Sequence, residues 1–256
     1  MRTTNIGGMK VELYDSIDEL PMLRFHKYNK MLLIDAGIGS NLSDFDSHIE
    51  KIMRYLKTKN PELAAIELDN LRQNVYFIQS NVSPQHLAFA VLVRSIDGVP
   101  CNDLSDSGLQ EVVDKLGTVP IGEMAAQISA AKKKLDDELH NYFPNLYDDA
   151  AVKEYYDELR RRTLIMLDAI IDGDTEDRRK EIDEITTSLL LYNRPQSFNG
   201  YNNAEIQYDK QFENMCLLIS QHLHVDPKRY TVLEYYNAFE YIKKMLKSAN
   251  SKKKSK

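Results

Sequence analysis

The sequence predicts a mainly α-helical protein, built as a multi-helix array with a short N-terminal β-strand. Apolar residues recur at three- and four-residue spacings along most of the chain, and capping residues precede several of these stretches. Glycine and proline are scarce, at 10 and 8 of 256 residues, which disfavours all-β and loop-rich folds. Hydrophobic residues make up 43% and charged residues 28%, as in an ordinary globular protein.

The first predicted elements are a strand and a helix. Lys10–Tyr14 alternates between apolar and polar side chains, the pattern of a half-buried strand. Ser16–Glu19 has the sequence of a capping box, so a first helical turn is expected there. Pro21 opens a stronger helix, which is expected to end at Gly37 because glycine tolerates the left-handed cap conformation.

The segment after residue 80 allows two interpretations. Ser83-Pro84 is typical of an N-cap followed by a first-turn proline, so Leu87–Val93 is predicted to be a buried helix. A strand is the alternative for residues 87–96, since Ile96–Val99 has the sequence of a hairpin turn. Elsewhere in this part of the chain, the same signals predict helices starting at Ser43 and Pro61 and helices over Ser107–Leu116 and Ile121–Tyr142.

The helical pattern is interrupted at Phe143–Asp149, the predicted boundary between two lobes, residues 1–145 and 146–248. Beyond this boundary, residues 152–170 carry one long apolar stripe on a helix. The remaining predicted elements are a turn at Asp172–Asp174, a partner helix from Thr175 to Pro195, a surface loop at 193–206, and a terminal helix pair over Phe212–Leu223 and Thr231–Leu246.

Charge is distributed unevenly along the chain. Lys and Arg total 33 against 39 Asp and Glu, a formal net charge of −6. Residues 249–256 are predicted to form a disordered, lysine-rich tail, because they offer no large apolar side chain to bury. A nucleic-acid partner is disfavoured, since the body of the chain is acidic. The candidate contacts for an anionic partner are Lys252, Lys253, Lys254 and Lys256.

The sequence contains no catalytic, cofactor-binding or metal-binding motif. Gly37-Ile-Gly39 lacks the third glycine of a dinucleotide fingerprint and the Lys-Ser or Lys-Thr of a Walker loop. The acidic turn Asp172–Asp177 lacks the glycine and glutamate positions of a calcium loop. His222 and His224 fall on different faces of a helix, and no CxxC pair is present. We therefore expect no enzymatic activity, no cofactor and no bound metal; the role of Cys101 is left open.

Tyrosine is abundant, with 15 residues and no tryptophan. Tyr235 and Tyr241 lie off the apolar stripe Val232–Tyr236–Phe239–Ile242 that is expected to face the core. Tyrosines at the edge of a core suit protein recognition, because they are amphipathic and lose little entropy on binding. We therefore predict that these two tyrosines contact a helical protein partner. The alternative is that both pack against the helix over residues 152–170.

Two stretches of the chain share their order of elements with a known family. In the first, an apolar segment ends in a Ser-Ile-Asp-Gly turn and is followed by a short capped helix and a further amphipathic helix. In the second, an Asp-Pro turn precedes an acidic and aromatic terminal helix. These stretches are His86–Gly98, Asp103–Leu109, Leu116-Gly117 and Leu135–Pro144, then Phe212–Ile242 with His224–Pro227 and Thr231–Tyr236. They resemble the tail-assembly and baseplate-hub chaperones of tailed bacteriophages.

The resemblance implies a non-enzymatic protein of the host cytoplasm that binds nascent tail components, above all the helical tape-measure protein. One alternative is a helical structural component of the virion. Another is a nucleic-acid accessory that uses the lysine tail. No membrane partner is expected, because the longest apolar run, Leu87–Val93, is too short to span a bilayer, and no signal peptide pattern opens the chain. The identity of the partner, the host and the oligomeric state stay open.

Overall fold

The computed structural model describes the backbone of residues 2–117, 121–144 and 150–254, and the side chains in these ranges except 121–125, 150–153 and 249–254. Within these ranges, ten α-helices accompany one four-stranded sheet, so the mainly α prediction is confirmed. The strands are β1 (Arg2–Ile6), β2 (Met9–Leu13), β3 (Val93–Ile96) and β4 (Val99–Pro100). The helices are α1 (Met22–Ile38), α2 (Leu42–Lys57), α3 (Pro61–Ser80), α4 (Pro84–Leu92), α5 (Asp106–Leu116), α6 (Ile121–Tyr142), α7 (Ala150–Asp172), α8 (Glu176–Tyr192), α9 (Ala204–Leu223) and α10 (Val232–Lys254).

The sheet is antiparallel, with its strands in the order β1-β2-β3-β4. Two turns with positive φ, Gly7-Gly8 and Asp97-Gly98, connect β1 to β2 and β3 to β4. The predicted strand at Lys10–Tyr14 corresponds to β2, whereas the other strands are too short or too irregular in sequence to show alternation. For residues 87–96 both interpretations are correct in part, because α4 runs to Leu92 and β3 follows it directly.

The core is centred where α1 packs along α4. From Leu87 to Leu92, α4 is apolar on all sides and buried. Arg24 of α1 is also buried here, and its guanidinium donates to the carbonyls of Val91 (2.8 Å), Val93 (3.2 Å) and Cys101. These bonds satisfy carbonyls at the end of α4, so Arg24 ties α1 to the junction of α4 and β3.

The C-terminal helices attach to the same core through the segment between β2 and α1. The backbone amides of Val232 and Leu233 donate to the carbonyls of Leu20 and Ile17 at 3.0 and 2.9 Å. Apolar residues from both sides of the predicted lobe boundary enter one continuous core cluster. Residues 145–149, where that boundary was placed, lie outside the described residues, so the division into lobes stays a prediction.

The helix α6 is fixed to this segment by polar side chains. Lys134 Nζ donates to Asp15 Oδ2 at 3.0 Å. Glu138 Oε2 accepts from the Ser16 hydroxyl and from the Ile17 amide, both at 2.8 Å. The predicted capping box that begins at Ser16 is therefore wrong: its hydroxyl bonds to α6, and the segment forms turns instead of a helix.

The end of α1 differs from the prediction by two residues. Gly39, with φ of 65°, caps the helix. Gly37 lies inside α1, where the ring of Phe198 packs so closely that a Cβ at position 37 would collide with it. Glycine is thus required at position 37 because Phe198 leaves no room for a side chain. At position 39 glycine is favoured because the backbone has a positive φ.

Two capping boxes show how helix starts depend on reciprocal bonds. Thr231 and Glu234 form the predicted box at the start of α10, each accepting from the other's backbone amide. The helix α2 is instead capped by Asn41 and Asp44, which bond in the same reciprocal way, so the predicted cap at Ser43 is wrong. The Asn41 box satisfies two amide donors, whereas a lone serine cap satisfies one.

Candidate protein-binding surfaces

The two tyrosines predicted to contact a partner lie in different environments. Tyr235 is 5% exposed, and its ring stacks on Phe212 of α9 with the centroids 6.0 Å apart. Burial raises the pKa of its phenol. Tyr235 is therefore a core residue, contrary to the prediction, because α10 buries Val232, Tyr235, Ala238 and Ile242. Its neighbour is α9, whereas the alternative prediction placed it on the helix over 152–170. Tyr241 is 55% exposed and stays a candidate contact.

Next to Tyr235, a groove of about 190 Å³ lies between α1, α9 and α10. Aromatic side chains form most of its walls. They include Phe25, His26, Tyr208, Phe212, Tyr236 and Phe239. This volume is below the roughly 300–1,000 Å³ of typical small-molecule pockets. The groove therefore has room for one or two side chains of a protein partner rather than for a large cofactor.

His26 lines this groove and joins two of its helices. Its ring is stacked between Tyr208 and Phe212, with centroid distances of 4.7 and 4.1 Å, and its Nε2 lies 2.9 Å from Asp209 Oδ1. Burial lowers the pKa of His26, although the Asp209 carboxylate opposes this effect. Burial would raise the pKa of Asp209, but hydrogen bonds from Lys30 and His26 outweigh it and lower that pKa. With both ring faces covered, His26 joins α1 to α9.

Polar side chains fill the contact between α2 and α3. His48, Glu67, Asn70 and Asn74 are all buried there. His48 Nδ1 lies 2.9 Å from Glu67 Oε1, and its Nε2 lies 2.8 Å from the carbonyl oxygen of Ile38. Through these two contacts, His48 joins Glu67 of α3 to the C-terminal end of α1.

The carboxylate of Glu67 is the centre of this network. Lys51 Nζ lies 3.2 Å from the oxygen that also faces His48. Burial would raise the pKa of Glu67, but the hydrogen bond from His48 and the charge of Lys51 outweigh it and lower the pKa. The side-chain oxygens of Asn70 and Asn74 find no hydrogen-bond partner among the described residues. The contact is thus polar and incompletely satisfied, which makes it a weak source of stability.

The apolar side of α2 faces solvent. Leu42 is 70% exposed, and Ile49, Met53 and Leu56 are also exposed, while Phe45 is half-buried. This is the reverse of the usual amphipathic helix, whose apolar residues face the core. We call this surface the α2 stripe, which comprises Leu42, Phe45, Ile49, Ile52, Met53 and Leu56.

The C-terminal half of α7 exposes a second apolar surface. Ile170 and Ile171 are 79% and 76% exposed. The other side of α7 contacts α8, where Arg161 Nη2 lies 2.6 Å from Glu181 Oε1. Large apolar side chains at this level of exposure mark interaction sites when they are contiguous. We call this surface the α7 patch, which comprises Leu164, Met166, Leu167, Ile170 and Ile171.

Burial shifts the pKa values of both cysteines in the same direction. Burial raises the pKa of Cys216 to about 11 and also raises that of Cys101. A reactive thiolate needs the opposite shift. Among the residues that the structure describes, no group of three or more His, Cys, Asp or Glu side chains is placed to hold a metal ion.

The lysine tail is described only in part. The helix α10 continues to Lys254, across most of the segment predicted to be disordered, and it includes Lys252 and Lys253. Lys256 lies outside the described residues, and contact of these lysines with an anionic partner stays a prediction. No helix in the described part of the chain is long and apolar enough to cross a membrane.

Comparisons of this chain with protein-family models, with curated proteins and with solved structures return no match. The resemblance to phage tail-assembly chaperones therefore stays a prediction. The α2 stripe and the α7 patch are the surfaces that sequence reasoning missed. A signal for the first was present, because Glu67, Asn70 and Asn74 share one helical face of α3 and predict a polar contact there.

Proposed function

We propose that this protein is a non-enzymatic chaperone of bacteriophage tail assembly, which binds helical segments of tail components such as the tape-measure protein. The α7 patch is the observation that carries the proposal. Its five large apolar side chains occupy little more than two helical turns and are exposed. Patches of this kind on a folded protein favour association with another apolar surface.

The spacing of the α7 patch favours a helical partner. Leu164, Leu167 and Ile171 follow the i, i+3, i+7 pattern, so they form a ridge along one side of α7. A ridge of this kind packs into the groove between side chains of a second helix at an interaxial distance of about 8–10 Å. A long helical protein such as the tape-measure protein offers many such grooves.

The environments of the titratable groups support binding over catalysis. Both faces of the His26 ring are covered by aromatic rings, and the cysteine pKa values are raised by burial. These groups stabilise helix contacts, and a catalytic His or Cys needs an accessible ring or thiolate.

A binding experiment tests the proposal directly. Full-length protein is titrated by calorimetry with helical segments of the tape-measure protein encoded in the same genome. We expect Leu167→Ser and Ile171→Ser each to weaken binding about tenfold, because each removes a buried aliphatic side chain from the interface. Leu56→Ser in the α2 stripe is the matched control and is expected to leave this affinity unchanged.

The α7 variants also need a folding control. Both positions are exposed, so the free energy of unfolding of each variant is expected to stay within a few tenths of a kcal/mol of the wild-type value. Thermal unfolding measures it. Wild-type affinity in both α7 variants would contradict the proposal. The main alternative is that the protein is a structural component of the virion. Mass spectrometry of purified virions distinguishes the two functions, because a structural component remains in the finished particle and a chaperone does not.

A further inference from the structure

The orientation of α2, with polar residues buried and apolar residues exposed, is not explained by the proposed function. The helix places His48 and Tyr55 inside and an apolar stripe outside. Among the described residues, the buried side-chain oxygens of Asn70 and Asn74 beside His48 find no hydrogen-bond partner, and the exposed stripe leaves large apolar side chains in water. Both costs are offset if a second apolar surface covers the stripe.

The charges beside the α2 stripe point to the surface that covers it. Asp46 and Lys57 are both exposed and lie eleven positions apart, which at about 100° per residue puts them within about 20° of each other around the helix. Glu50, one turn after Asp46, adds a second carboxylate on that side. One border of the stripe is therefore acidic at its N-terminal end and basic at its C-terminal end.

We infer that two copies of this protein associate through their α2 stripes, with the two helices antiparallel about a twofold axis. In this arrangement Asp46 of each copy faces Lys57 of the other, so the border charges are complementary twice. In a parallel arrangement about a twofold axis, the charged borders of the two copies would lie on opposite sides of the interface, and Asp46 would not meet Lys57. A surface that is complementary to itself in this way is what a twofold interface requires.

The dimensions of α2 fit this arrangement. Its 16 residues make a rod about 24 Å long. The stripe runs from Leu42 to Leu56, nearly the full length of that rod, with Ile49 close to its middle. The twofold axis then passes near Ile49 and Met53, where the two copies of the same apolar side chains meet.

Sedimentation of the full-length chain over a range of concentrations tests the inference. We expect a monomer–dimer equilibrium in the wild type. Ile49→Ser is expected to raise the dissociation constant roughly a hundredfold, because the twofold axis removes the side chain from both copies. Leu164→Ser in the α7 patch is the matched control and is expected to leave the constant unchanged. A wild-type chain that is monomeric at every concentration would overturn the inference.

Charge reversal tests the antiparallel geometry separately. Asp46→Lys and Lys57→Asp are each expected to weaken the dimer about threefold to tenfold, more strongly at low salt. The double variant restores complementarity and is expected to regain wild-type affinity. A mixture of the two single variants is expected to form heterodimers in preference to homodimers. Failure of the double variant to recover would overturn the inference while leaving the α7 proposal untouched. Dissociation caused by Leu164→Ser and not by Ile49→Ser would also overturn it, because the α7 patch would then be the contact between copies.

Discussion

Two neighbouring helix pairs of this protein are built in opposite ways. The contact of α1 with α4 is apolar inside, and its buried Arg24 is bonded to three carbonyls. The contact of α2 with α3 is polar inside, with apolar residues exposed at its outer side. The first pair gains stability from burial of apolar surface. The second pair gains much less stability from its own contact. Its apolar surface faces outward, where it is available for association.

The energetic difference follows from desolvation. An apolar side chain in the α1–α4 layer gives up no hydrogen bond with water when it is buried. His48 and Glu67 each lose solvation that their mutual contact then has to replace. The α2–α3 contact is therefore expected to depend on every partner in the network, whereas the α1–α4 contact depends on packed volume.

The largest expected effect is a difference between the same substitution made in the two regions. Leu92→Ala in α4 removes a side chain that is 1% exposed and is expected to cost about 2–5 kcal/mol of unfolding free energy. Leu56→Ala in the α2 stripe removes one that is 52% exposed and is expected to cost about 0.5 kcal/mol or less in the monomer. Urea unfolding at a low protein concentration measures both. Equal losses would contradict the contrast between the two regions.

A smaller effect is expected from removing one charge of the α2–α3 network. Glu67→Gln leaves Lys51 without its counter-charge and replaces the carboxylate that His48 contacts, so it is expected to cost about 1.5–3 kcal/mol of unfolding free energy. His48→Leu with Glu67→Leu is expected to cost less than the sum of its two single variants, with a coupling energy of about 0.5–3 kcal/mol. Chemical denaturation of all the variants measures this cycle. Additive losses would mean that the two side chains act independently.

Much of the fold follows from periodicity and capping, and the exceptions have physical causes. The apolar segment at Leu87 predicts α4, and Thr231 predicts the start of α10, because each signal is local. Ser16 fails as a cap because its hydroxyl bonds to Glu138, more than a hundred residues away. Gly37 fails as a helix end because its role depends on Phe198, which is even more distant in sequence.

The candidate surfaces were harder to predict, because periodicity identifies an apolar face but not what that face contacts. The spacing of Ile49 and Met53 predicts an amphipathic α2, and only the structure shows that this face points to solvent. Tyr235 fails as a partner contact because one position along a helix is a rotation of about 100°. The predicted apolar stripe placed Tyr236 in the core and Tyr235 outside it. In the structure, Tyr235 is the buried residue of the two.

The smallest expected effect is a pH dependence of stability that comes from His26 of α1 and His86 of α4. Burial lowers the pKa of His26 and His86 below the ordinary 6.5. The unfolded chain therefore binds more protons than the folded chain as the pH falls below about 6.5, and the free energy of unfolding decreases there. Each group contributes a slope of at most about 1.4 kcal/mol per pH unit.

His26→Phe isolates this effect, because phenylalanine keeps the ring stack with Tyr208 and Phe212 but cannot titrate. We expect the variant to lose less stability than the wild type between about pH 6.5 and pH 5. Asp209 stays ionised in that range, since its lowered pKa lies well below it. Thermal unfolding at several pH values measures the slope, and NMR titration of the imidazole protons assigns it to individual histidines. An equally steep loss of unfolding free energy in variant and wild type would show that acid destabilises the protein through other groups. An NMR titration midpoint for His26 at or above 6.5 would contradict the direction of its pKa shift.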